Sequence, residues 1–500
     1  MSDTAARVSS LTSWHQDWSG LRVAVLGLGV TGFSVADTLA ELGCTVTVIA
    51  AHGDPDRERL LSVIGVSFVA DPSDEAQLLQ LQEINPDLVI VSPGYRLEHP
   101  LPEWASSQGI TVWGDIQLSW RLRDKVGTPA DWIVITGTNG KTTTTGLTAH
   151  MLRTAGLRVA PVGNIGTPVL DALRDPGGFD VLVVELSSFQ LSRLGHIEPY
   201  SSVCLNIAPD HLDWHGSLEQ YIAHKAIVYE NTLHACVYNR ADPVTERMVE
   251  NADVVEGARA ISFGLDTPQP SGIGIVDGVL CDRAFLAERR SQALEITTIG
   301  RLRELGLDAP HTVQNILAAA ALARSYGVTP EQIAAALENF TLGAHRLERI
   351  ALSRGVLWIN DSKATNPHAA SAALRSFSSV VWILGGVLKG VDVNSLVAEH
   401  SGRLRGAIII GLERGDLLAA FKRHAPDVPL FEVSPRETED IMVAAVTRAS
   451  EIAQPGDTVL LAPAAASQDQ FESYEDRGIR FTRAVQEYLG GEADGDSASR

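Results

Sequence analysis

Five hundred residues exceed one ordinary hydrophobic core and fit about three domains at typical sizes of ~150 residues. Against 61 acidic side chains stand 40 basic ones, a formal charge of −21, which argues against nucleic acid or an anionic membrane as the main partner. An anionic substrate therefore needs locally placed cations and Mg²⁺. Cys44, Cys204, Cys236 and Cys281 are scattered without metal-ligand spacing, so neither a disulfide framework nor a zinc site is expected. Residues 1–20 are polar, with no apolar signal core, and no run approaches the ~18 apolar residues that span a bilayer; a soluble, cytoplasmic protein is expected.

Short apolar strands at 22–26, 45–49 and 88–91 alternate with helical stretches such as 35–42, which predicts a parallel sheet and a Rossmann-like first domain over 1–126, with 1–20 as an extension. Gly27-Leu-Gly-Val-Thr-Gly32 fits the dinucleotide fingerprint. An NAD site wants an acidic residue at the end of the second strand, where Ala50, Ala51 and His52 stand instead. The loop therefore reads as a binder of another diphosphate, through the backbone N–H groups of Gly29, Val30 and Thr31, with a plain tight turn as the alternative. Ser92 closes a later strand on the ligand-binding side of the same sheet.

The polar linker 124–131 precedes a second α/β region, 127–341. It opens on Ile133-Val-Ile-Thr-Gly-Thr-Asn-Gly-Lys-Thr-Thr-Thr144, a strand, a glycine loop and a helix start. Gly137 and Gly140 allow the tight turn, Thr138, Asn139 and Thr143 line it, Lys141 supplies a charge for the β/γ-phosphates, and the Thr142 hydroxyl is placed to ligate Mg²⁺. Glu185 ends the strand 181–184, where a nucleotide enzyme puts its Mg²⁺-binding carboxylate; an N-cap or surface carboxylate is the alternative. Asp210, His211, Asp213 and His215 cluster after another strand, and their hard oxygen and imidazole groups suit a second divalent site, though a hydrogen-bonded turn has the same pattern. Lys225 lies in the helical stretch 218–228 and, taken alone, reads as a solvated lysine. Helices at 313–326 and 330–337 close the region.

The third region, 342–500, alternates strands at 356–359, 380–384, 407–410, 430–433 and 458–461 with helices. Arg346, just past the boundary, is positioned to swing onto a γ-phosphate or to be a plain linker arginine. Asp361, Ser362, Lys363 and Thr365 crowd the loop leaving the strand 356–359, more hydrogen-bonding groups than a cap requires. The small polar tail 490–500 is expected to be disordered.

These motifs, in this order from about residue 21 to 488, resemble the Mur ligase family, whose phosphate loop is shared with folylpolyglutamate synthases. Glu185-Leu-Ser-Ser-Phe-Gln-Leu191, Asn360-Asp-Ser-Lys-Ala-Thr-Asn366 and Ala462-Pro-Ala-Ala-Ala-Ser-Gln-Asp-Gln-Phe-Glu-Ser-Tyr474 are similar to its D-glutamate-adding branch. The resemblance implies three α/β domains: a Rossmann-like UDP-binding domain, a central P-loop ATPase-like domain and a C-terminal Rossmann-like domain that seats the amino acid. It implies ATP-dependent, acyl-phosphate ligation of D-glutamate to UDP-N-acetylmuramoyl-L-alanine by a monomer with two Mg²⁺ sites. It places Asn315 on adenine, Asn164 and His211 at the reacting centre, and Ser187 and Gln190 on the substrate side of the phosphate loop. Lys363, Thr365, Ser467, Gln468 and Tyr474 would seat D-glutamate. Lys225 would be carbamylated and join Thr142, Glu185 and His211 around metal, and Asp361 or His211 would serve as base. Lys389 is retained from a family motif whose aspartate is replaced here by Val387. Family members that recognise uracil with Asp-Thr-Arg after the second strand differ from this chain, which has Ala50-Ala-His-Gly53, so no uracil residue is assigned.

Three rivals remain. A relative adding another amino acid shares all the chemistry, a nucleotide-dependent regulatory protein needs Lys141, Glu185, His211 or Lys225 broken, and an NAD oxidoreductase rests on residues 27–32 alone.

Overall fold

The computed structural model describes residues 3–433 and 441–497. They form two compact units, residues 1–207 with 219–340, and residues 208–218 with 341–500.

The first unit carries two sheets. One has strands β1 (Arg22–Leu26), β2 (Thr45–Ala50), β3 (Ser67–Ala70), β4 (Leu88–Val91) and β5 (Thr111–Gly114) in the order β3-β2-β1-β4-β5, all parallel. The central strands are runs of Val, Ile, Leu and Ala buried on both faces, as a helix-covered parallel sheet requires. The order reverses between β1 and β4, so the crevice beyond the carboxyl ends of those strands is the place for a ligand. The N-terminal extension is part of this structure: helix Asp3–Ser10 and the turn after it bury Val8, Leu11 and Trp18 in the core.

The second sheet contains β6 (Asp131–Thr136), β7 (Val159–Gly163), β8 (Val181–Glu185), β9 (Ser201–Cys204), β10 (Ala235–Asn239), β11 (Arg259–Phe263), β12 (Gly272–Val276), β13 (Val279–Asp282) and β14 (Leu294–Thr298), ordered β14-β13-β12-β11-β10-β9-β6-β8-β7. Strands β12 to β14 form an antiparallel meander that the sequence pattern did not mark. The alanine run of helix Pro310–Ser325 removes side-chain bulk and lets it lie close against helix Lys141–Thr154. A single apolar cluster runs from the first sheet into the second.

The second unit has β15 (Glu348–Ser353), β16 (Val356–Asn360), β17 (Val380–Gly385), β18 (Leu404–Ile410), β19 (Leu430–Glu432) and β20 (Thr458–Leu461), ordered β15-β16-β20-β17-β18-β19; only the β15–β16 hairpin is antiparallel. Apolar clusters cover both its faces. The polar stretch from Gly490, expected to be unstructured, continues helix Tyr474–Ser497; residues 498–500 lie outside the described residues. Once Phe481, Ala484 and Val485 anchor the helix in the core, each further turn adds hydrogen bonds without a new nucleation cost. No helix among the described residues is long and apolar enough to cross a membrane.

Candidate active site

The phosphate loop leaves β6 in the conformation its glycines were expected to allow, with Gly137 at φ +145° and Gly140 at φ +84°. It is held from behind by Asn206, a residue the sequence reading passed over. Asn206 Oδ1 accepts from Asn139 N–H at 2.9 Å, its Nδ2 donates to Asn139 O at 3.1 Å, and its carbonyl accepts from Thr138 N–H at 2.9 Å. Thr138 Oγ1 meets the Tyr221 hydroxyl at 2.8 Å. Lys141 Nζ donates to the carbonyls of Gly137 and Thr138 at 2.9 and 3.0 Å, which puts its charge inside the curve of the loop. Thr142 and Thr143 follow in the first turn of helix Lys141–Thr154. Asn315 stands over Gly140 so closely that a Cβ there would lie 2.4 Å from Asn315 Oδ1.

Lys225, bland in isolation, is 1% exposed, and its ammonium donates to Thr136 Oγ1 at 3.1 Å and to Gly137 O at 3.0 Å. The solvated-lysine reading is thereby corrected, because helix Leu218–Ala226 turns this residue under the loop. Glu185 is paired in register with Ile135 on β6 and is 1% exposed. Asn164 Nδ2 donates to its Oε1 at 3.0 Å, while Oε2 is buried with no hydrogen-bond partner. A buried carboxylate oxygen without a donor is expensive unless a cation completes it. Glu185 is not a cap either: Ser187 caps the next turn in a capping box with Gln190.

That box commits both side chains. Gln190 Oε1 accepts from Ser187 N–H and Oγ, which orients Nε2 toward Asp115 Oδ2 at 3.1 Å. Asp115 begins helix Asp115–Arg121, and burial pushes its carboxyl up to about 6 against the pull of the Gln190 hydrogen bond.

In the first sheet Gly27 N–H donates to Ile49 O at 2.7 Å, and Gly32 lies against Gly27 so tightly that a Cβ would sit 2.0 Å from the Gly27 carbonyl. Gly29 and Val30 at the following helix start are exposed, with Thr31 half-buried beside them. Ser92 Oγ reaches this loop, is buried and has no hydrogen-bond partner.

In the second unit Asp361 accepts from Leu347 N–H at 3.1 Å. Burial pushes its carboxyl up to about 7, opposed by that hydrogen bond and by the charge of Arg346. Arg346 lies between two residues in the left-handed region, His345 and Leu347, a strained pair that fixes where its side chain departs. Lys363 Nζ sits 3.5 Å from the centre of the Tyr474 ring. Ser467 is 1% exposed with an unpartnered Oγ; Gln468 is exposed next to it and Thr365 half-buried. These loops are tied together by Arg477, another residue sequence reasoning missed. Fully buried, it donates to Ser362 Oγ, Ser362 O and Ala465 O at 3.0, 2.9 and 3.1 Å.

Asp210, His211, Asp213 and His215 lie on the loop and the short helix Leu212–His215 that follow β9. Among the described residues no three His, Cys, Asp or Glu side chains converge as metal ligands. Asp210 pairs with Lys389 Nζ at 2.9 Å and accepts from Asn366 Nδ2 at 3.2 Å. His211, at φ +53°, leans back toward Asp210.

Three family models cover the chain: the MurD-like N-terminal domain of Mur ligases over residues 21–114, the Mur ligase middle domain over 135–323, and the Mur ligase glutamate ligase domain over 345–465. The chain is 60% identical to UDP-N-acetylmuramoylalanine--D-glutamate ligase of Leifsonia xyli subsp. xyli, across 100% of this chain and 99% of that one. It is 47% identical to the protein of the same name from Tropheryma whipplei, across 97% and 99%. Among solved structures, UDP-N-acetylmuramate-alanine ligase from Thermotoga maritima superposes with a TM-score of 0.55 at 18% identity, across 94% of this chain and all of that one. A pseudomurein peptide ligase type C from Methanothermus fervidus gives 0.55 at 17%, with the same coverage. These two likenesses speak for the fold.

Proposed function

This chain belongs to the Mur ligase family, and from that premise we propose that it joins D-glutamate to UDP-N-acetylmuramoyl-L-alanine at the expense of ATP, releasing ADP and phosphate, in peptidoglycan precursor synthesis. The full-length identity to ligases of that name supports the substrates. The observation that carries the chemistry is the unpartnered oxygen of Glu185, whose strand pairs with the one leading into the phosphate loop; buried Lys225 is bonded to Gly137 of that loop. The reading includes a cytoplasmic, monomeric enzyme with domains over 1–126, 127–341 and 342–500.

A carboxylate resists amines because a tetrahedral intermediate would have to expel oxide; phosphorylation supplies phosphate as the leaving group. Residues 137–143 cradle the ATP phosphates, and Asn315 meets adenine. The L-alanyl carboxylate attacks the γ-phosphate in line while Lys141 and Arg346 neutralise the charge that develops on it. Mg²⁺ held by Glu185 and Thr142, and a second ion held by His211 and carbamylated Lys225, would supply further neutralisation when bound. The glycine loop, Ser92, Asn164, Ser187 and Gln190 hold the nucleotide sugar. Lys363, Thr365, Lys389, Ser467, Gln468 and Tyr474 seat D-glutamate, whose amine attacks the acyl phosphate after Asp361 or His211 takes its proton.

The test is phosphate release from ATP with UDP-N-acetylmuramoyl-L-alanine and D-glutamate, L-glutamate or no amino acid. Release that requires both the nucleotide sugar and D-glutamate is expected. Dependence on another amino acid would keep the ligase chemistry and discard the substrate.

A further inference from the structure

The glycine loop offers N–H groups to a diphosphate, yet residues 27–32 contain no cation, and the protein around it carries a charge of −21. The missing charge arrives from the helix Pro55–Val63, beyond the end of β2. Asp54 caps this helix, its Oδ1 accepting from the N–H groups of Asp56 and Arg57 at 3.1 and 3.2 Å. Its Oδ2 lies 3.0 Å from Arg57 Nη1, and that same nitrogen donates to the carbonyl of Leu28 inside the glycine loop at 3.3 Å. A cation in the first turn of a helix opposes the helix dipole. Here the Asp54 carboxylate offsets that cost and aims the guanidinium back across the sheet end. Arg57 Nε and Nη2 make no hydrogen bond within the described residues, and the side chain stays 34% exposed. The planar donor edge of a guanidinium is thus held at the glycine loop through the Leu28 carbonyl, with the helix start at Val30, two residues on, 56% exposed.

We propose that Arg57 is a binding residue for the uridine diphosphate half of the nucleotide sugar, its Nε/Nη2 edge taking a phosphate or uracil carbonyl oxygen at the glycine loop. Asp54 is its positioning residue. This rests on the nucleotide-sugar reading above. It gives the loop the charge its motif lacks and gives the strand end Ala50-Ala-His-Gly53, which has no guanidinium, a functional replacement seven residues after Ala50.

The experiment measures KM for all three substrates in the full chain and in Arg57→Ala, Arg57→Gln and Arg59→Ala. Arg59 is 77% exposed and, among the described residues, pairs only with Asp56, so its variant is the control. Arg57→Ala should raise KM for the nucleotide sugar about 10- to 100-fold, the range for charge-assisted hydrogen bonds. KM for ATP and D-glutamate, and kcat, should stay within about 2-fold of wild type, as should every constant of Arg59→Ala. Arg57→Gln keeps a donor for the Leu28 carbonyl but loses the cation, and the same rise is expected from it. Restoration of wild-type KM by glutamine would mean that Arg57 only shapes the loop, and unchanged KM in Arg57→Ala would mean it does nothing; either result overturns the proposal. Calorimetric titration with UDP, UMP and uridine then locates the contact: weakening confined to the phosphorylated ligands assigns it to phosphate, and weakening of all three assigns it to the base. A wild-type enzyme whose phosphate release ignored the nucleotide sugar would overturn the functional reading itself, and this proposal with it.

Discussion

Asp361 is where stability and chemistry make opposite demands. Its carboxyl titrates at about 7 in the folded chain against an ordinary value of 3.8, chiefly because it is buried. The folded state therefore holds a proton that the unfolded state has released between about pH 4 and 7. Stability from this group is present at low pH and falls as pH rises through that window. The loss amounts to roughly 2–3 kcal/mol between pH 5 and pH 8 at ~1.36 kcal/mol per unit of separation. Asp361→Asn keeps an acceptor for Leu347 N–H but has nothing to ionise. Its urea midpoint relative to wild type should rise on going from pH 5 to pH 8. If Asp361 is also the base for the D-glutamate amine, wild-type kcat/KM for D-glutamate should show an acid limb near pH 7, and the residual activity of the asparagine variant should lack it. A stability difference independent of pH would refute the buried-carboxyl argument. A limb that survives the substitution would move the proton to another group.

Asp115→Ala should raise KM for the nucleotide sugar several-fold with kcat nearly unchanged, because Gln190 loses the acceptor that fixes its amide; Asp115→Asn should restore it, and the alanine effect should vanish in a Gln190→Met background. Gly140→Ala puts a Cβ 2.4 Å from Asn315 Oδ1 at φ +84°. A left-handed conformation costs an L-residue about 1–2 kcal/mol before any clash, so KM for ATP should rise at least 10-fold in the phosphate-release assay. Lys389→Met leaves Asp210, 8% exposed, without its cation. Breaking such a pair costs about 3–5 kcal/mol, and Asp210→Asn in the same chain should recover much of that loss in urea titrations.

The phosphate loop was legible because its chemistry is local: strand, glycine turn and Lys141-Thr142 are contiguous, and β6 and helix Lys141–Thr154 form where the pattern places them. The parallel strands were legible for a similar reason, since a strand buried on both faces must be a nearly unbroken apolar run. The meander β12–β14 was not: β12 and β13 are mostly buried but short and broken by glycines at 272, 274 and 278, and β14 is a half-exposed edge, so no long apolar run marks them. Lys225, Asp115, Arg477 and Arg57 share a deeper difficulty. Each is charged, and in sequence a charged residue on a helix is most economically explained by water. Their roles come from what the fold lays over them, such as Thr136 and the Gly137 carbonyl on Lys225, or the loops holding Ser362 and Ala465 on Arg477. No local window contains those partners.

The loop after β9 shows how sequence proximity can mislead about packing. Asn206 clamps the phosphate loop in the first compact unit, and four residues later Asp210, already in the second, is bound by Lys389 and Asn366 of that same second unit. The cluster of hard oxygen and imidazole groups after this strand suggested a second divalent site. The Asp210 carboxylate is the counter-ion of Lys389, so residues four apart in the chain pack into different cores, which no pattern in the intervening sequence announces.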